Sequence, residues 1–587
     1  MNGVKVRKKP HPIFRILFPA FLIYAWLTNL WKTDSYYSVY VLCALAGFMA
    51  AMDNAGRDTR VSGRNCVWIA VCSSLFSLSV VLANYRLFEP ITALLSMVNA
   101  GITFCGGFAL CWNVLSCLAE RLPVRFSPRD CPTHPARVFL CVFLATVLVD
   151  SAFLFFAQYP GVVSVDSVST IRQVMESDYD NIMPFWHTVS FGALFKLGYL
   201  LFRDYSAAVA FFHFMQILFM AACFAFAVTT LYQAGVPKLC VFLVSLVYVF
   251  SYYNIIYSVT LWKDVPFGGA VLLFVTALYR LIRRVGKSRR LNYFVMIAGA
   301  AGLSLLRTNG WYAFLVTTLI IWIVLRKRER ILITAMLAVL LLCWVLLNPV
   351  LSVLGANEMN YVEALAVPFQ QIARVIAEGR SLTQEEETLL SQAFSLDKVK
   401  EVYTPETVDP VKFEAFKYDN LPAIKERLAD YVRLYVRLGM RYPGDYFRAW
   451  VEETKGYWNG GYEFWVYNDY VMDNDYGISG GSNQNAVSSG FRGLFRYQEK
   501  LTILQPLVSV GLCVWVIIAC CVLNALKQRR EFVLSIPVIV LAVGLWVGTP
   551  ACTTFRYAYP MILVMPVILL ITAFDAEKND NDNLEAL

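Results

Sequence analysis

Charge is scarce in this chain. Asp, Glu, Lys and Arg supply 16% of its 587 residues, where soluble domains carry about 25%. There are four His, and no His/Cys spacing of the kind that holds a metal. No Walker loop, dinucleotide fingerprint or GxSxG elbow occurs either. An ATP-driven pump or a cofactor oxidoreductase therefore has no support. Residues 353–500 lack Cys, so disulfides do not staple that stretch. Nothing alternates apolar with polar over strand length, which argues against a barrel.

What is abundant is apolar. Hydrophobic residues make up 58% of the chain and aromatics 15%, with a mean hydropathy of +0.54. Runs of about 20 apolar residues are long enough to cross a bilayer. Hydrocarbon offers the backbone no hydrogen-bond partners, so such runs should be helices. The fifteen Cys lie mostly within them, where Cys behaves as a small hydrophobe. The expected fold is an all-α polytopic membrane protein with about 13–15 transmembrane helices. The net charge of +9 does not point to nucleic acid. The basic residues sit in short loops between apolar runs, the pattern of cytoplasmic loops. The first run lacks a small-residue cleavage site and is followed by many others, so it reads as an anchor.

This loop pattern orders the chain. The basic N-terminus and the loop with Arg57, Arg60 and Arg64 read as inside, with helices at 13–31, 36–53, 66–84 and within 90–119. Helix 137–157 then delivers the loop 158–185 to the outside. Runs at 186–202, 206–232, 238–256 and 266–283 make four crossings, one too many for the basic IRRVGKSRR loop to lie inside. A bent hairpin over 206–232 is the expected repair. Further helices follow at 291–306, 307–325, 330–352, 502–526, 531–549 and 556–574. Residues 1–136 thus form N-terminal transmembrane helices, 137–352 a core, 353–500 an extracytoplasmic domain, 501–575 C-terminal helices, and 576–587 a disordered cytoplasmic tail.

The 353–500 segment has soluble composition and helical signals. Thr383 stands three residues before Glu386, a capping-box pattern. Leu421, Ile424, Leu428, Tyr431, Val432 and Tyr435 share one helical face. Beyond 458 the chain reads as loop, and the domain is expected to lie on the membrane surface.

Ionisable groups at membrane depth are costly and usually functional. Asp166, Gln173, His187, Lys263, Asp264, Arg307 and Arg556 all fall at outer helix ends or in outer loops, which points to one substrate site. Each has a plainer alternative. Asp166 could cap a short surface helix over 166–176, on which Gln173 lies two turns further along. Lys263 and Asp264 could form an interfacial salt bridge. Arg307 and Arg556 could snorkel, although Arg also suits bidentate phosphate binding. A lone His such as His187 is usually a satisfied hydrogen-bonding residue. The aromatics Trp458, Tyr462, Trp465 and Tyr467 could stack on sugar rings or anchor the interface.

The segments YPGVVSVDS and PFWHT, followed by LWKDVPF, LLRTNG, VEALAVPFQQIARVI, YTPETVDPVK and TPACTTFRYAYP, span about 160–560. In this order they resemble the GT-C superfamily of membrane glycosyltransferases, and more closely a bacterial family within it. Where that family often carries a His before the Pro, this chain has Met183. The resemblance implies a GT-C-like bundle in a bacterial cell membrane and a sugar donor on a polyprenyl phosphate or diphosphate. The acceptor would be a glycan, lipid or protein. It implies that Asp166 acts as general base or metal ligand, with Asp264 the candidate second acid and Mg or Mn the conceivable ion. Arg556, with Arg307 or Lys263, would neutralise the departing lipid phosphate. Gln173 and His187 join them as substrate-binding candidates. A transporter or flippase of lipid-linked glycans is the alternative, and a non-catalytic envelope-assembly scaffold a third. A transporter favours polar residues at mid-membrane and internal symmetry, and the chain shows neither.

Overall fold

A computed structural model describes residues 16–31, 45, 47–50, 52, 63–87, 93–126, 134–179, 183–326, 329–354, 356, 362, 365–460, 467–480, 485–500 and 509–576. The basic N-terminus, most of the expected helix 36–53, Arg57, Arg60, Tyr462, Trp465 and the acidic tail lie outside these residues. Helix dominates throughout, and contacts divide the chain into two compact units, 1–124 with 518–532 and 125–517 with 533–587. Nine described helices are long and apolar enough to cross a membrane. The chain is thus a polytopic helical membrane protein.

The first unit contains α1 (Phe18–Trp31), α2 (Gly63–Ala83) and α3 (Ala93–Arg121). Gly106 of α3 lies against the Leu22 carbonyl and Trp26, and Gly107 lies against Ser77. A larger residue at either place would push the backbones apart.

The second unit holds the larger bundle. Its spans include α4 (Pro135–Phe156), then the short surface helices α5 (Val165–Glu176) and α6 (Phe185–Phe202). Next come α7 (Tyr205–Gln233), α8 (Lys238–Phe250), α9 (Tyr252–Ser258), α10 (Asp264–Arg283), α11 (Arg289–Leu305), α12 (Thr308–Leu325), α13 (Arg330–Leu347) and α14 (Pro349–Val353). At one end of this bundle Arg280 donates to Thr230 at 3.0 Å and to Asn292 at 2.8 Å. These bonds gather the ends of α7 and α10 and the start of α11 around the basic 283–290 loop. This is the basic end. Asp166, Lys263, Arg307 and Arg556 all lie at the other.

The expected hairpin over 206–232 does not form. Tyr205–Gln233 is one continuous helix of 29 residues. The surplus run is 186–202 instead, since α6 is not among the helices apolar enough to span. Along its length α6 stays beside the first third of α7. Phe191 meets Phe212 at 5.0 Å, Phe195 stacks on Tyr205 at 5.9 Å, and Gly198 lies against Ala208. His213 in turn reaches the Pro160 carbonyl at 2.8 Å, beyond the end of α4. So α6 and the start of α7 form a hairpin at the Asp166 end. Three crossings remain between 186 and 283, which is the odd number the basic loop requires.

One of those crossings is broken. Helices α8 and α9 meet at Ser251 with a bend of 49°. A break frees backbone groups that lipid cannot satisfy. Here side chains take them up. Asn254 donates to the Val247 and Tyr248 carbonyls, and Gln498 donates to the Phe250 carbonyl while accepting from the Tyr252 amide. Gln216 of α7 donates to three carbonyls, of Tyr257, Ser258 and Thr260.

Between α14 and the C-terminal spans lie α15 (Ala366–Ala377), α16 (Gln384–Ala393), α17 (Leu396–Val402), α18 (Leu421–Glu426), α19 (Leu428–Arg441) and α20 (Pro443–Thr454). They share a core that includes Phe369, Ile376, Leu390, Phe416 and Leu438. The capping box forms as its sequence pattern predicts, with the Glu386 amide donating to Thr383 Oγ1 and the Thr383 amide to the Glu386 carboxylate. The single face expected over 421–435 is interrupted at Arg427. Leu421, Ile424, Tyr431 and Tyr435 pack inward, whereas Leu428 and Val432 are each 54% exposed. Helices α21 (Ala486–Lys500), α22 (Val510–Leu526), α23 (Ile536–Gly548) and α24 (Phe555–Ala573) complete the fold.

Candidate functional site

The backbone after α4 is held on both flanks. The Val162 amide donates to the Val259 carbonyl, and the Leu261 amide donates back to Val162. On the other flank Val163 exchanges hydrogen bonds with Tyr470 and Met472. The first outer loop is thereby locked to the segment that leads into Lys263 and Asp264. Trp262 strengthens the lock by donating its indole N–H to Ser164 Oγ at 2.7 Å.

Ser164 and Val165 open α5, so Asp166 is not its N-cap. Ser164 takes that position, and its amide donates to Ser167 Oγ. The Asp166 carboxylate is free of capping and reaches across 390 residues of sequence to Arg556, Oδ2 to Nη1 at 2.5 Å. A second pair stands nearby, Asp264 Oδ1 with Arg307 Nη1, also at 2.5 Å. Arg307 takes Asp264, the residue that the sequence alternative had paired with Lys263.

One aromatic ring links the two pairs. The Tyr557 ring lies 4.7 Å from the Arg307 guanidinium and 5.0 Å from that of Arg556. Trp262 lies 5.1 Å from Arg556 on another side. Cation–π contact holds both guanidiniums in place without neutralising them. Neither aromatic was singled out from sequence, although each adjoins a charged residue within a motif that was.

Burial pushes the Asp166 carboxyl up, but Arg556, Lys263 and Arg307 outweigh it and hold the group below the usual carboxylate range. Burial pulls the Lys263 ammonium down, and Asp166 and Asp264 counter part of that pull. Lys263 Nζ also lies 3.8 Å from Met183 Sδ. Among the described residues Arg556, Arg307 and Lys263 thus act together on Asp166.

His187 is buried in the first turn of α6. Neither of its ring nitrogens has a hydrogen-bond partner among the described residues. Burial, with Lys263 nearby, pushes its imidazole down to about 3, so it is neutral. Gln173 lies two turns along α5 from Asp166, at 3% exposure. Asp264 Oδ2 and Arg556 Nε are likewise buried without partners among the described residues.

The helical domain grips the strand that delivers Arg556. The Val408 amide donates to the Pro550 carbonyl and the Cys552 amide to Glu406. Tyr457 accepts from the Thr554 amide and from Thr549 Oγ1, each at 3.0 Å. Two of the motif segments, 403–412 and 549–560, are thus paired with each other. Trp458 is buried, donating to Thr454 and stacking on Trp450 at 5.7 Å. Tyr467 meets Tyr252 at 5.7 Å. Both aromatics are engaged in packing.

The two carboxylates named as conceivable metal ligands are both engaged. Each carboxylate is already bonded to a guanidinium, and Lys263 adds a further cation near both. Among the described residues no group of three or more His, Cys, Asp or Glu stands together.

A family model matches residues 177–585. The chain belongs to DUF6020, a family of unknown function. No curated protein and no solved structure matches it. The DUF6020 match takes in His187, Lys263, Asp264, Arg307 and Arg556, and it begins just after the helix that carries Asp166 and Gln173.

Proposed function

We propose that this protein is a glycosyltransferase of GT-C type that moves a sugar from a polyprenyl-phosphate carrier to an envelope acceptor on the outer face of the bacterial plasma membrane. One observation carries the reading. Arg556, Arg307 and Lys263, from separate helix starts, meet Asp166 and Asp264 at one end of the bundle. Guanidiniums suit a phosphate leaving group, whose developing charge they stabilise best when fixed beforehand.

The pairing also gives a sequence of events. With Arg556 bound, Asp166 is a weak base. A donor phosphate that draws Arg556 towards itself removes the charge that holds the carboxyl down, and the freed Asp166 then accepts the proton of an acceptor hydroxyl. The hydroxyl oxygen bonds to the anomeric carbon as the bond to the phosphate oxygen breaks. His187, neutral and buried beside Lys263, is placed to hydrogen-bond substrate, and so is Gln173. Asp264 holds Arg307 towards Tyr557. No step here uses a metal.

The membrane reading agrees with this placement. The nine apolar helices and the bent pair α8–α9 make ten spans. Taking α1, α11, α22 and the expected helix 36–53 as spans brings the total to fourteen, within the 13–15 read from sequence. Both termini then lie in the cytoplasm and the helical domain lies outside.

The test is sugar transfer by the purified full chain in lipid nanodiscs, using polyprenyl-phosphate-linked sugars as donors. Asp166→Asn should slow transfer by about 10²–10⁴-fold while leaving the melting temperature unchanged. Transfer undiminished in that variant would remove Asp166 from the chemistry. Movement of lipid between leaflets without any transfer would favour the transporter.

A further inference from the structure

Helix α21 does not belong to the core of the helical domain. It is pinned to the end of one membrane span and to the break in another. At its start Asn485 accepts from the Ser488 amide and donates to the Phe156 carbonyl at the end of α4, at 2.6 Å. Near its other end Gln498 bonds the backbone at the α8–α9 break, to Phe250 at 2.8 Å and from Tyr252 at 3.0 Å. Between these points Phe491 and Phe495 pack on Phe153 of α4 at 5.0 and 5.3 Å. A helix of 15 residues is about 22 Å long at about 1.5 Å per residue. It therefore runs sideways from the end of α4 to the α8–α9 break.

Its remaining surface has two faces. Val487, Leu494 and Tyr497 form an exposed apolar stripe, with Tyr497 63% exposed. The adjoining helix ends carry exposed apolar groups of their own, Phe155 and Phe156 on α4 and Phe250 on α8. Lipid-facing surface thus continues from the spans onto α21. On the opposite side Arg492, Arg496 and Lys500 recur every fourth residue and are exposed, with Glu499 beside them on the helix. An apolar stripe beneath a basic row is the arrangement of a helix lying in the interface plane. The long basic side chains reach the phosphate layer while their stems lie on apolar surface.

We infer that α21 is an interfacial helix whose Arg492, Arg496 and Lys500 row binds the phosphate headgroups of anionic phospholipid in the surrounding bilayer. The assignment does not rest on the glycosyltransferase reading and stands if that reading fails. Its occupant follows from charge and from continuity with the lipid-facing spans. A second copy of the chain would bring another basic row against this one.

The full chain, reconstituted in nanodiscs of phosphatidylglycerol and phosphatidylethanolamine, provides the test. Native mass spectrometry after extraction counts the phosphatidylglycerol retained. Arg492→Gln and Arg496→Gln should each weaken retention by about fivefold, with the melting temperature preserved. Benzoylphenylalanine placed at Leu494 should photocross-link to lipid, and the same group at Glu401 on the helical domain should not. Unchanged retention would overturn the inference. So would a Leu494 cross-link to a second copy, or no lipid adduct at all.

Discussion

The candidate site and the helical domain both bury Arg–carboxylate pairs, and they complete them differently. In the domain, Arg380 donates through two nitrogens to both oxygens of Asp445, and Arg441 does the same to Glu386. Both oxygens of Asp445 and of Glu386 therefore have partners. At the site each pair makes a single contact, and Asp264 Oδ2 and Arg556 Nε have no hydrogen-bond partner among the described residues. Unsatisfied buried polar atoms cost about 1–3 kcal/mol each, so a fold that only needed rigidity would close these pairs. The domain pairs serve packing. The site pairs are less completely closed, as the proposed exchange of Arg556 onto a donor phosphate would require.

Replacing one arginine in each region is the sharpest break of that contrast. Arg556→Ala should reduce sugar transfer by about 10²–10³-fold, and Arg380→Ala should leave it within about twofold. Arg556→Lys should recover only part of the loss, because an ammonium cannot stack on Trp262 and Tyr557 as a guanidinium does. Equal loss from the Arg556 and Arg380 variants would erase the distinction between the two regions.

The domain has its own sensitivity, which thermal melting reads. Glu386→Ala removes both the capping box of α16 and the partner of Arg441. The melting temperature should fall by about 2–4 °C, with transfer per folded molecule unchanged. A loss of transfer with no change in melting would mean that the domain takes part in the chemistry.

Glu453 is the exception that refines the comparison. It lies fully buried in the domain, and both its oxygens lack partners among the described residues. Burial, with Asp409 adding to it and Lys412 opposing, pushes its carboxyl from 4.5 up to about 9. The folded chain thus keeps a proton that the unfolded chain releases near 4.5. Between these values unfolding releases a proton, so stability falls as pH rises. Glu453→Gln has no such proton to lose. Its melting temperature should exceed that of the parent by a margin that grows from pH 5 towards pH 9. Parallel melting curves across that range would show that Glu453 is ionised in the fold.

Much of this was legible in the residues. Apolar runs marked the spans because the bilayer admits little else. Thr383 and Glu386 marked a helix start because their bonds are local. Asp166, Lys263, Asp264, Arg307 and Arg556 stood out as charges beside apolar runs. The failures were of another kind. Residues 186–202 looked like a span because the run is long and apolar, and nothing in it showed that it would fold back along the start of α7. Leu428 and Val432 looked buried because Arg427 gave no sign that it would break the helix. Asp166 looked like a cap, and Ser164 took that role two residues earlier.

The amino-acid sequence by itself determined that this chain is helical and lives in a membrane, because the cost of exposing apolar side chains and unpaired backbone is paid residue by residue. It also determined which ionisable groups stand at the helix ends. Only the tertiary structure decided that Asp166 takes Arg556, that Asp264 takes Arg307 and that Tyr557 lies against both arginines. Those choices depend on distances between segments hundreds of residues apart. The packing of the bundle sets such distances, and no local pattern encodes them.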